Sequence, residues 1–99
     1  MEHVKIRGVK HGNGAIGLMG KFKIKKLYSF PLGHIDKSVH TMFCLCAMDA
    51  ICLDKNDIVI KKIHMGPWKI FHCGVTAVAV IEGPVNAFDE IDVGDSIEF

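Results

Sequence analysis

The sequence predicts a mainly β, single-domain protein, a β-sandwich or partly open barrel of about seven short strands with one or two short helical turns. Three observations carry that reading. Apolar stretches are short and either alternate with polar residues or run continuously for a few positions. Glycine, proline, asparagine and aspartate punctuate them at close intervals, and no βαβ alternation is long enough for a parallel sheet. The alternative is an α+β sheet with one helix across its face, should residues 14–20 or 85–90 form longer helices.

Val4–Val9 alternates Val4 and Ile6 with Lys5 and Arg7, a strand with a basic wet face that should pair with a later strand. His11–Gly20 is glycine-dense and holds at most a turn or short helix around Ala15–Met19. Phe22 and Ile24 lie between lysines, which predicts a strand with lysines outward. Leu27–Phe30 is a short apolar piece ended by Pro31 and Gly33, and residues 31–37 read as a loop.

The centre of the chain is Val39–Asp54, VHTMFCLCAMDAICLD, with three of the four cysteines and one carboxylate, Asp49, in apolar company. Val39–Cys46 and Ala50–Leu53 read as two neighbouring strands. Asp54-Lys55-Asn56-Asp57 is a turn, with Asn56 suited to positive φ, and Ile58–Ile63 returns as a hairpin strand. Trp68–Phe71 and Val75–Ile81 follow, the second apolar on both faces and therefore central. Gly83-Pro84 stops it, Val85–Glu90 allows about a turn and a half of helix, and Val93-Gly94-Asp95 turns into a last strand, Ser96–Phe99.

Ninety-nine residues with a formal charge of +1 make one domain, without a surface tuned throughout to nucleic acid. The charge is unevenly spread. The first forty residues are rich in lysine, whereas Glu82, Asp89, Glu90, Asp92, Asp95 and Glu98 close the chain with no Lys or Arg among them. The simplest arrangement brings the two ends together. No stretch is long enough to span a membrane and the N-terminus lacks a signal-peptide core, so a cytoplasmic protein with four reduced thiols is expected.

Gly17-Leu18-Met19, Val39-His40-Thr41-Met42-Phe43, Asp49-Ala50-Ile51-Cys52-Leu53-Asp54, Pro67-Trp68 and Val93-Gly94-Asp95 stand in an order that resembles the domain of unknown function 192, or UPF0127, family in its short archaeal-type members. The likeness spans residues 14–99. The chain departs from the family pattern at Gly14, where an arginine is usual, at Ala47, where a proline is usual, and at Cys46 and Cys52, where large apolar residues are usual. The segment between Glu82 and Gly94 is also about two residues short of the family's loop. The resemblance implies a β-dominated single domain of sandwich type, with short helical turns and no established activity; the structural turn at Gly94 and Asp95 is read from the residues themselves.

Asp49 is the residue whose chemistry most needs explaining, because a carboxylate between Met48 and Ala50 must find donors or face a cavity open to water. It either caps a turn through backbone N–H groups, which is the plainer reading, or belongs to a pocket. His40, Thr41 and Trp68 are the neighbours expected in the second case, giving an aromatic wall with a few convergent polar groups. His40, Cys44 and Cys46 share a strand parity and could offer zinc three ligands, with Cys52, Cys73 and His72 remaining. The spacing is not that of structural zinc sites, so core thiols and no metal or other cofactor are expected. Cys73 and His72 would point to opposite faces of a strand, and no serine has a nucleophile's context, so no catalytic residue is assigned. Gly12–Gly17 satisfies G-x-G-x-x-G without the helix that a dinucleotide fold requires. Lys21–Lys26 could contact phosphates, but exposed aromatics for stacking are missing and lysines on an edge strand guard it against pairing. The function that emerges is a non-enzymatic binding or accessory domain for a small molecule or protein partner, monomeric or a small homo-oligomer. A metal-binding protein and a nucleic-acid-contacting edge are the alternatives.

Overall fold

The computed structural model describes residues 2–6, 8–11, 27–32, 38–40, 47–66 and 70–99, with backbone alone at 10–11, 31 and 38–40. The described residues are mainly strand, with no helix and no closed barrel. The strands are β1 (His3–Lys5), β2 (Lys10–His11), β3 (Tyr28–Pro31), β4 (Ser38–His40), β5 (Met48–Leu53), β6 (Val59–Met65), β7 (Ile70–His72), β8 (Ala79–Gly83) and β9 (Ser96–Glu98).

Five of them form the main sheet in the order β2-β3-β8-β5-β6, while β1 pairs with β9 and β4 with β7. The continuous apolar runs of β5 and β8 lie at its centre, as their lack of a polar face requires. Met48, Ala50, Cys52, Val80 and Phe30 face one side, against Cys73 and Ala77. Ile51, Leu53 and Ile81 face the other, against Phe88, Ile91 and Ile97. β6 is an edge, and Lys61 and Lys62 stand exposed on it. Charge on an edge strand discourages pairing with another chain.

Several expectations are corrected in detail. Parallel pairing does occur, between β1 and β9 and between β2 and β3. The first needs no crossover helix because nearly the whole chain is its connection. It also brings the basic and acidic ends together within one molecule, with Lys5 in register with Glu98 and His3 Nε2 3.4 Å from the Glu98 carboxylate. Residues 84–91 form consecutive turns closed by Ala87 N–H to Pro84 O, Asp89 N–H to Asn86 O and Ile91 N–H to Phe88 O. Asn86 at φ 72° interrupts what would otherwise be a short helix. Strand β8 begins only at Ala79, because Val75 and Thr76 are taken by a turn. The predicted strand around Phe22 and Ile24, and the helical turn at Ala15–Met19, lie outside the described residues.

The turn after β5 forms as expected, with Asp57 N–H donating to Asp54 O at 3.0 Å and Asp54 Oδ1 accepting from the N–H groups of Asn56 and Ile58. Positive φ falls on Asp57, at 60°, and not on Asn56. At the far end Gly94 takes φ 100°, which a residue with a side chain rarely adopts. Asp95 follows as a clasp. Its Oδ1 accepts from Glu2 N–H at 3.1 Å and its Oδ2 from Asp92 N–H at 2.9 Å, while its carbonyl accepts from Val59 N–H at 2.9 Å. These backbone donors, Asp92 first and then Glu2, hold the Asp95 carboxyl below its ordinary range.

Candidate functional site

Asp49 is the second residue of β5, inside the strand and not at a break between two strands. Its neighbours are set by pairing on both sides, Gly83 of β8 and His64 of β6. A side chain directly across an antiparallel pair lies on the same face, so Asp49 and His64 meet. His64 Nδ1 is 2.5 Å from Asp49 Oδ1, and Asn86 N–H donates to Oδ2 at 2.8 Å. The carboxylate therefore does two things. It anchors the 84–91 turns over the sheet, and it orients the imidazole.

A carboxylate only accepts, so Nδ1 carries the hydrogen of this bond and Nε2 is directed away from Asp49. The Asp49 side chain is 17% exposed and that of His64 64%, so the acid is sheltered and the imidazole is offered to solvent. Around them lies a pocket of about 230 Å³ lined by Asp49, Ala50, Lys62, Ile63, His64, Phe88 and Asp89. Opposite charges, Lys62 and Asp89, thus border a partly apolar space with an oriented histidine at its rim.

His40 is the last residue of β4, opposite Ile70 of β7, in a different sheet from Asp49. Its side chain, like Thr41 and Trp68, lies outside the described residues, as do Cys44 and Cys46. Among the described residues no three His, Cys, Asp or Glu side chains gather as a metal site.

Two groups escaped the sequence reading. His64 was hidden by register. Unbroken pairing outward from Asp54–Asp57 would set Asp49 opposite Lys62, but the turn places Leu53 opposite Val59, one residue on, and the register shift between Cys52 and Leu53 adds one more, so His64 takes that place. Glu82 was counted only as part of the acidic end, yet it is 4% exposed, between Tyr28 and Ala50 in the sheet. Burial pushes its carboxyl up to about 7. Its parity with Val80 at the end of an apolar strand was the signal that could have revealed it.

Among known proteins, the UPF0127 protein of Pyrococcus horikoshii is 34% identical over 89 residues, which cover 86% of this chain and 77% of that protein. The chain belongs to the UPF0127 family. The UPF0127 protein of Pyrococcus furiosus is 31% identical over 88 residues, covering 85% of this chain and 76% of that protein. That of Pyrococcus abyssi is 34% identical over 64 residues, covering 63% and 55%. No family model matches the chain. No solved structure matches it either. The UPF0127 name assigns no reaction, so the function of this member has to be argued from its own pocket.

Proposed function

We propose that this UPF0127 protein is a non-enzymatic binding domain whose recognition site is the pocket over Asp49 and His64. The observation that carries the proposal is the sheltered acid holding an exposed imidazole beside side chains of opposite charge. Convergent polar groups on a partly apolar floor are the usual make-up of a small-molecule site. The ligand class that fits is a small polar molecule carrying both a positive and a negative group, of about amino-acid size. Lys62 would take its anionic group, Asp89 its cationic group, and Phe88 its apolar part. His64 Nε2 adds one directional hydrogen bond. The space is smaller than the ~300 Å³ at which drug-sized pockets begin, which favours so small a ligand.

Buried, unbridged Cys52 and Cys73 fit a reducing compartment, and we place the protein in the cytoplasm on that basis. The test is a thermal-shift screen of amino acids and comparable zwitterions, followed by titration of any stabilising compound against Asp49→Asn. The variant should bind at least about tenfold more weakly, a loss of ~1.4 kcal/mol. Unchanged affinity with lowered stability would make Asp49 purely structural, and a panel without any stabilising compound would count against the ligand class.

A further inference from the structure

The turns of residues 84–91 border a second cavity, of about 550 Å³. Of its described lining residues only Asp89 is shared with the cavity over Asp49. One wall is β1, where Val4 and Ile6 alternate with the exposed Lys5. Val4 and Ile6, with Leu27, are half-buried and pack against the cluster that holds Ile91, Ile97 and Phe88. Val4 is in register with Ile97, and Ile6 N–H donates to Glu98 O at 2.8 Å, so this wall is fixed to β9. A half-buried aliphatic side chain on a cavity wall keeps part of its apolar surface in water, and covering that surface is favourable.

Three charged residues line the same cavity, Lys5, Asp89 and Glu90, all exposed. Lys5 has Glu98 beside it in the β1–β9 register. Asp89 and Glu90 have no ion pair among the described residues, and no Lys or Arg follows Glu82 in the chain. The cavity therefore joins an aliphatic wall to two carboxylates without a cation of their own.

We propose that this cavity is a binding site for a small amphiphilic cation, an amine on an apolar body, distinct from the site over Asp49. The apolar body lies against Val4, Ile6, Leu27 and Ile91, and the ammonium group is held by Asp89 and Glu90. The volume falls within the ~300–1,000 Å³ of small-molecule sites. Charge complementarity sets the class, because an anionic ligand would meet two like charges and only one opposite charge, already beside Glu98.

The test uses three compounds with one indole body and different charge: tryptamine, tryptophol and indole-3-propionate. In a methyl NMR titration of the full-length protein at neutral pH, tryptamine should shift the resonances of Val4, Ile6, Leu27 and Ile91. It should bind about fivefold more tightly than tryptophol, as two exposed charge pairs allow, and indole-3-propionate should bind most weakly. Added salt should shrink the difference. The double variant Asp89→Asn, Glu90→Gln changes only exposed side chains and should bind tryptamine and tryptophol alike. Equal affinity for all three compounds in the wild type, or an undiminished preference for tryptamine in the variant, would overturn the proposal. So would shifts confined to Ala50 and Ile63, which place the amine in the Asp49 cavity, and so would no shift at all, which means that the chain itself fills the space.

Discussion

Glu82 sets the shape of this protein's stability against pH. Its carboxyl has an ordinary value of 4.5 in the unfolded chain and about 7 in the fold, with burial as the cause. The folded state therefore binds the proton more tightly. Folding bears no cost from Glu82 below pH 4.5, loses stability as pH rises, and carries the full cost above about 7. At 1.36 kcal/mol for each tenfold change in acidity, the full cost is about 3 kcal/mol, with about 1 kcal/mol present at pH 5 and about 2 kcal/mol at pH 6. Glu82→Gln keeps the shape and removes the ionisation. Urea unfolding of both proteins from pH 5 to pH 8 should show the variant gaining on the wild type by about 2 kcal/mol across that range. With an m-value of about 1–1.5 kcal/mol/M for so small a domain, that is a relative shift of about 1–2 M in midpoint. Curves that stay parallel from pH 5 to pH 8 would refute the reasoning, because every other titrating group is common to the two proteins.

Gly83→Ala should destabilise by about 1–3 kcal/mol in the same urea assay. Its new Cβ would stand 2.5 Å from Leu27 Cδ2, 3.2 Å from Ala87 Cβ and 3.3 Å from Phe88 Cζ, and only the leucine end can easily turn aside. Ile51→Ala, at a position with 0% exposure in the middle of β5, should cost about 2–5 kcal/mol by urea unfolding. Asp95 contributes in the opposite pH sense to Glu82. Its folded value is depressed below 3.8, so its stabilisation is complete above that pH and is lost as pH falls through the folded value. The advantage of the wild type over Asp95→Ala, followed by circular dichroism, should therefore be full at pH 6 and shrink on acidification below pH 3.8.

The hairpin of β5 and β6 was legible because Asp54–Asp57 is a turn-forming tetrad between two apolar runs, and β8 was legible as a central strand because its run has no polar face. What could not be read was register. Two one-residue offsets, one at the turn where Leu53 pairs with Val59 and one between Cys52 and Leu53, decide which β6 residue faces Asp49, and nothing in the composition of either strand marks them. The same limit hid the second half of the site. Asn86 reaches Asp49 from 37 residues away through its backbone, which any residue type could do. Asp49 itself was singled out by its incongruity among apolar neighbours. It accepts a backbone N–H, and it borders a pocket.

The account rests on Asp49 fixing the imidazole of His64, and nitrogen NMR of that ring tests it most directly. With the ring neutral, the wild type should show the hydrogen on Nδ1 and a bare Nε2, a preference that Asp49→Asn weakens or reverses. A ring with its hydrogen on Nε2 in the wild type, or the same tautomer ratio in both proteins, would contradict it.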